Sequence, residues 1–509
     1  MSAEKALRLA SVPVAMGLTA WLSGQALAAE DGKLTIVMPE EPDIVDPCHA
    51  SRSNIGRVVK QNVAETLTEI DPDDGTITPR LATSWERIDD LTWRFQLREG
   101  VMFHDGTPMD AEAVATSISR TLNPNLDCEI RTKFFGNTTV TPKAVDTYTL
   151  ELVTDEPSPI LPTMMGTMTV QAPSTPMDEL TREPVGTGPY VFTSWQPGQN
   201  VVLTRFDDYW GETPEVEEAT YVWRAESAVR AAMVATGEAD IAPSIAPQDA
   251  TDPEMDFSYF DSETTHFRID MAFPPLDDIR VRKAINLAID REAFRGSILS
   301  EEVVPSAQFV VPGINGFNPD LKPYPSDPEQ AKALLAEAAA DGVPVDTEIV
   351  MIGRHGTHAG VTEKLEAILA MLQDVGLNVT LRMVEVAEWV DFYTKPYAED
   401  RGPNLFHAMH DNNNGDAVFT VFNKYHTDGA QSVISFPELD AVIEQATVAV
   451  NPERQKLWQE AFRMIHEDLV TDVQLFHMVG FTRVSPRINF TPTISTNSEI
   501  QISTVTFNE

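Results

Sequence analysis

Hydrophobic positions along the chain follow two periods. Leu34 to Met38 is an apolar run that predicts a strand, and the acidic, proline-rich stretch after it (Pro39, Glu40, Glu41, Pro42, Asp46, Pro47) predicts a loop. Thr92 to Arg98 alternates, with Trp93, Phe95 and Leu97 on one side and Arg94, Gln96 and Arg98 on the other, the pattern of a half-buried strand. After a turn at Asp105-Gly106, Asp110 caps a helix carrying Val114, Ile118 and Leu122 at helical spacing. Tyr148 to Val153 predicts another strand, and Val191 to Trp195 with Val201 to Phe206 predict a hairpin around Pro197-Gly198.

The second half is more helical. Val281, Ala284, Ile285, Ala288 and Ile289 form one apolar stripe. Asp327-Pro328 opens a further helix, with Pro at its first position and Gly342 beyond its end. Thr362 to Val375 places Leu365, Ile368, Leu369 and Leu372 inward and stops at Gly376. Asn451-Pro452 is expected to cap a helix bearing Leu457, Ala461, Ile465 and Leu469. Strands and helices therefore mix as α/β, with no repeat, low-complexity tract or evident linker.

Composition narrows the classes. The chain has 509 residues, 42% of them apolar, so it has enough material for a large core and a length suited to about three domains. With 37 Lys+Arg against 78 Asp+Glu its formal charge is −41, which disfavours nucleic acid and anionic lipid as partners. Lys5 and Arg8, an apolar stretch from Leu9 to Leu22, and Ala26-Leu27-Ala28 have the anatomy of a cleaved secretory signal, expected over residues 1–28. No later apolar run reaches the length of a membrane span. An exported, periplasmic and soluble mature protein is expected. Its two cysteines, Cys48 and Cys128, would then meet an oxidising compartment, which favours a bridge over two buried thiols.

Six blocks carry a family resemblance in order along the chain. They are LATSWERIDDLTWRFQLREGVMFHDGTPMDAEAV from Leu81, PVGTGPYVFTSW from Pro184, RFDDYWG from Arg205, GEADIA from Gly237, PPLDDIRVRKAINLAIDREAF from Pro274 and YPSDPEQAKALLAEA from Tyr324. Together they resemble the extracellular solute-binding proteins of family 5, the peptide- and nickel-type substrate-binding components of ABC importers. The resemblance implies a two-lobed periplasmic-binding-protein fold with an extra subdomain in the first lobe and hinge closure around a ligand. It maps the first lobe to 29–70, 184–262 and 484–509, the extra subdomain to 71–183 and the second lobe to 263–483. It also implies a small-molecule ligand and an ABC permease complex in the inner membrane as partners, with no cofactor. A monomer is expected.

Candidate site residues follow from the same likeness. Peptide-binding members carry a W-x-G-D-x-x-D-P-D loop whose first Asp pairs with the ligand's α-ammonium. The matching stretch is AMHDNNNGDAVF from Ala408 to Phe419, which puts Asp411 at the Asp position and Ala408 at the Trp position. Asn412 and Asn413 could read a polar ligand, although Asn-Gly is also a turn signal. Arg354, after the strand from Glu348 to Ile352, is placed to clamp a carboxylate. Thr265, His266, Phe267 and Arg268 lie where the chain is expected to cross between lobes, with Thr265 and Phe267 taken as cleft-lining. Glu40, Glu41 and Asp43 are expected to face the cleft from the first lobe. His355-x-x-His358 and His407-x-x-His410 offer an alternative in which paired imidazoles, His410 among them, hold a transition metal or metal chelate. No H-E-x-x-H, G-x-S-x-G or P-loop is present, so an enzyme is not expected.

Overall fold

The computed structural model describes residues 32–136, 138–355, 357–358, 360–412 and 415–508. The expected leader, residues 1–28, and Asn413 lie outside the described residues. The strands that organise the molecule are β1 (Lys33–Met38), β2 (Ala82–Arg87), β3 (Thr92–Leu97), β4 (Val140–Ala144), β5 (Thr149–Thr154), β6 (Tyr190–Gln196) and β7 (Asn200–Arg205). They continue with β8 (Glu218–Trp223), β9 (Ile241–Ala242), β10 (Asp256–Ile269), β11 (Ile349–Arg354), β12 (Val379–Val384), β13 (Asn404–Asp411) and β14 (Asp472–Val484).

One hydrogen-bonded path links ten of these strands in the order β12-β11-β13-β10-β14-β9-β1-β8-β7-β6. The two longest strands, β10 and β14, sit mid-path and are antiparallel to each other. The start of β10 pairs with the end of β14 beside β9, on the first-lobe side. Its end, from Thr264, pairs with β13 and the start of β14 on the second-lobe side. These strands are the two crossings of a two-lobed α/β fold. The ladder between them shifts register between Phe260 and Thr264, and Ser262 in the interruption has φ +66°. A bulge of this kind bends a strand and frees its middle residues from pairing.

A separate four-stranded sheet, β2-β3-β5-β4, packs with helix α1 (Ala111–Thr121). The alternation read in Thr92–Leu97 is observed, with Trp93, Phe95 and Leu97 buried. Asp110 caps α1 by accepting the Ala113 N–H at 2.9 Å. Cys48 and Cys128 form a disulfide, Cα–Cα 4.9 Å, that ties the proline-rich loop to this unit. In the hairpin block, Gly186 and Gly188 run against the backbone of Asn62 and Val63. A Cβ on either would stand about 2.1–2.2 Å from a carbonyl oxygen, so no larger residue fits.

In the second lobe, α2 (Ile279–Ala288), α3 (Pro328–Ala340) and α4 (Val361–Asp374) cover one sheet face. Helices α5 (Val386–Tyr393), α6 (Val418–Tyr425) and α7 (Glu453–Arg463) belong to the other side. The Pro328 start and the positive-φ glycines Gly342 and Gly376 lie at the ends read from the sequence. The expected Asn451 cap is corrected: Pro452 precedes α7, with no side-chain cap bond, and the chain continues past Arg463 in a wider turn through Leu469.

Candidate functional site

Strands β11 and β13 are parallel neighbours, and their last residues are Arg354 and Asp411. The carboxyl ends of parallel strands are the usual ligand edge of an open α/β sheet. Asp411 is exposed and pairs across the ladder with Glu263, and its carboxylate accepts a short hydrogen bond from Ser262 in the hinge bulge. The Asn412 N–H donates to the Ser262 carbonyl at 3.2 Å, so strand end and hinge are joined twice.

Asp261, Glu263 and Asp411 thus form an acidic group beside the hinge. Burial, with the negative charges of Asp261 and Asp411, pushes the Glu263 carboxyl up to about 8, and Arg354 opposes this. Burial likewise pushes Asp261 up to about 7, with Asp411 adding to it. Burial is the larger cause in both, and the like charges add to it. An approaching ammonium would lower both and displace protons. Arg354 lies with its guanidinium carbon 4.8 Å from the Trp389 ring centre, half-buried and near enough to act on Glu263.

The loop after Asp411 then reaches the first lobe. Gly415, with φ +78°, lies against Ile70 and Thr163, and a Cβ there would stand 3.2–3.3 Å from their side chains. Phe419 of α6 meets Phe134 edge-on at 6.3 Å between ring centres. Between the lobes is a narrow space of about 40 Å³ walled by Lys60, Glu69, Asp71 and Glu499 on one side and by Gly313 and Ile314 on the other. A neighbouring space of about 40 Å³ is lined by Ser51, Lys133 and Phe134, and shares Lys60 and Ile70 with the first. Lys60 is paired with Glu499 at 2.9 Å. Neither space is lined by Arg354 or Asp411, which stand beside the hinge.

Several expected roles are corrected. Thr265 and Phe267 are fully buried within the second lobe, Phe267 in its core and Thr265 reaching the Phe476 carbonyl at 3.5 Å. The inward-outward alternation assumed for that segment does not expose either, because this strand is covered on both faces. Asn412 is also buried and serves the loop, donating to Thr420 Oγ1 at 2.7 Å. Glu41 accepts from Trp195 Nε1 at 2.9 Å and from the Gly198 N–H, so it secures the β6–β7 hairpin.

The four histidines do not converge. His358 and His407 both contact Lys364 Nζ, at 2.9 and 3.1 Å. His410 lies on the opposite face of β13 from His407, against Thr420 Oγ1 at 2.7 Å, and His355 is exposed. Among the described residues no three His, Cys, Asp or Glu side chains are grouped to hold a metal ion. Sequence reasoning missed Asp261, Glu263, Lys60 and Ile70. For the first two the available signal was their position at the expected lobe boundary, hidden by the abundance of acids elsewhere.

Comparison with known proteins bears on this geometry. The sequence description of the bacterial extracellular solute-binding proteins, family 5 (middle), matches residues 76–436. The chain is 25% identical to di/tripeptide-binding protein 2 of Pseudomonas aeruginosa (strain UCBPP-PA14), over 92% of this chain and 96% of the relative. It is 26% identical to the glutathione-binding protein GsiB of Shigella flexneri, over 89% and 91%. Its fold is similar to that of HbpA2 from Haemophilus parasuis, with a TM-score of 0.83 at 20% identity, covering 94% of this chain and all of that one.

Proposed function

The chain belongs to family 5 of the bacterial extracellular solute-binding proteins, and from that premise we propose that it is the substrate-binding component of an ABC importer. It captures a small polar or zwitterionic solute, peptide- or amino-acid-derived, between the two lobes and delivers it to a permease complex in the inner membrane. The single observation that carries the solute class is the opposition of Arg354 to the Asp411, Asp261 and Glu263 carboxyls at the hinge end of adjacent strands. Asp411 receives the solute's cationic group by charge-assisted hydrogen bonding, and Arg354 receives its anionic group. Relatives that are named for di/tripeptides and for glutathione, both zwitterionic, fit this chemistry.

Closure follows from the crossings. Bending at the 261–263 bulge makes and breaks the contact of the Gly415 loop with Ile70, and the same bend moves Asp411, because Ser262 is bonded to it. The lobe and subdomain limits mapped above complete this reading. So do export to the periplasm by removal of residues 1–28 and action as a monomer. The fourfold-histidine metal reading gains no supporting contact and is not carried further.

Mass spectrometry of the solute released on denaturing the exported chain tests the proposal. A peptide or amino-acid derivative is expected, rebinding by calorimetry with an affinity that falls at least tenfold in Asp411→Asn and in Arg354→Ala. An uncharged solute, or a zwitterion whose affinity ignores both variants, overturns the charge assignments.

A further inference from the structure

The second lobe contains a buried polar cavity away from the hinge. It lies between β10, β13 and β14 on one side and helices α5 and α6 on the other, and its free volume is small, about 10 Å³, room for a single water-sized occupant. Its polar wall is His266, Arg268, Lys424, Gln431 and Asp472, and Phe406 and Ala408 supply apolar wall.

The charges in this wall do not balance. Two cations face one carboxylate, and among the described residues neither cation forms an ion pair. Arg268 spends its terminal N–H groups on neutral oxygens, namely the Phe392 carbonyl, the Tyr393 carbonyl at 3.3 Å, the Gln431 carbonyl at 2.9 Å and the Tyr397 hydroxyl at 2.8 Å. Its Nε–H has no acceptor. Lys424 Nζ donates to Gln431 Oε1 at 3.0 Å, and this is far less than an ammonium can offer. His266 is 2% exposed, yet its Nδ1 has no partner, and its Nε2 is 4.0 Å from Asp472. Asp472 is itself occupied by the Thr471 hydroxyl at 2.8 Å. Asp472 attracts both cations at longer range, yet burial, with the charge of Arg268, still pulls the Lys424 ammonium down to about 7, so one carboxylate does not answer both. An orphaned N–H donor beside an empty space calls for an acceptor in that space.

We propose that this cavity is a binding site for one small monovalent anion, of about chloride's size, held between Arg268 and Lys424. The surrounding aromatic rings of Phe309 and Tyr393, 5.2 and 5.5 Å from Lys424 Nζ, restrict the space and exclude larger oxyanions. The occupant would complete the contacts that fasten the 392–397 segment and Gln431 to the sheet. The site is independent of the solute reading, since it shares no residue with the hinge cluster.

Bromide supplies the probe. Crystals of the full exported chain grown with bromide are expected to give an anomalous peak in the cavity beside Arg268 and Lys424. The melting temperature should rise saturably, by about 2 °C, as chloride replaces gluconate at constant ionic strength. Lys424→Met removes one cation. Ala408→Leu fills the cavity and leaves every charge in place. Both should lose the peak and the chloride response. No anomalous peak, with equal melting in chloride and gluconate, means that only water occupies the cavity and overturns the proposal. A chloride response that survives Ala408→Leu places the anion elsewhere and overturns it as well.

Discussion

Asp416 is the residue through which the hinge-side loop is anchored to the second lobe, and its removal has a calculable cost. Its two carboxylate oxygens each accept an Arg454 N–H at 2.7 Å, one also accepts Asn315 Nδ2 at 2.8 Å, and the other accepts the Val418 N–H at 2.9 Å. The pair is buried, Asp416 1% and Arg454 2% exposed. Asp416→Asn keeps the shape but removes the charge and turns an amide N–H₂ toward the guanidinium. Leaving one member of a buried pair unanswered costs about 3–5 kcal/mol, much of it the penalty of the stranded charge. Urea unfolding followed by tryptophan fluorescence would read this directly, because the Arg454 guanidinium lies 5.2 Å from the Trp458 ring. The double variant Asp416→Leu with Arg454→Met should lose less than the two single changes added together, by about 2 kcal/mol or more, since it strands no charge. A loss below about 1 kcal/mol in Asp416→Asn, or strict additivity in the double variant, would refute the reasoning.

Three further outcomes follow from buried or cross-linked groups. Cys128→Ser opens a closed loop with a sequence separation of 80 and should cost roughly 4–5 kcal/mol of unfolding free energy, read from urea curves of oxidised and variant chains. Lys364 has its ammonium pushed down to about 7 from 10.5 by burial, so the unfolded chain binds more protons between those values and stability should climb as pH rises through that window. Lys364→Met should be the more stable chain at pH 7 and should flatten the climb; an unchanged slope on a pH series of unfolding curves contradicts the assignment. Glu263 works in the opposite direction. Its carboxyl is raised from 4.5 to about 8, so the native state binds the extra proton and stability should fall as pH rises across that range. Glu263→Gln should remove part of this fall, and the same unfolding series detects it.

The buried pairs also explain how an acidic chain keeps its loops in place. Asp46 accepts from Arg120 at 2.7 Å and from the Thr181 and Cys48 N–H groups at 2.7 and 2.8 Å, with Asp46, Arg120 and Cys48 buried. With the disulfide beside it, this fixes the proline-rich loop against the four-stranded unit. Asp416 does the same for the loop between β13 and α6. Both carboxylates have every strong acceptor site in use, which is what permits their burial.

The residues alone determined the local elements, since a strand's alternation and a helix's stripe are properties of consecutive positions. Thr92–Leu97, the Asp110 cap and the Pro328 start were legible for that reason, the Cys48–Cys128 bridge followed from the count of two cysteines in an exported chain, and the ordered motif blocks pointed to the family. The family likeness named Arg354 and Asp411 as candidates, and the fold sets them on neighbouring strand ends. What the tertiary structure alone decided was which side of a strand is covered and which distant groups become neighbours. Thr265 and Phe267 read as half-exposed, because alternation cannot report a second layer of helices on the far face of the sheet. His407 and His410 read as a pair, yet their odd spacing on a strand sends them to opposite faces, one to Lys364 and one to Thr420. Asp261, Glu263 and Asp411 come together only through the register of β10 against β13. The raised proton affinity of Asp261 and Glu263 arises from burial beside like charges, a quantity fixed by the packing of segments remote from one another in the chain.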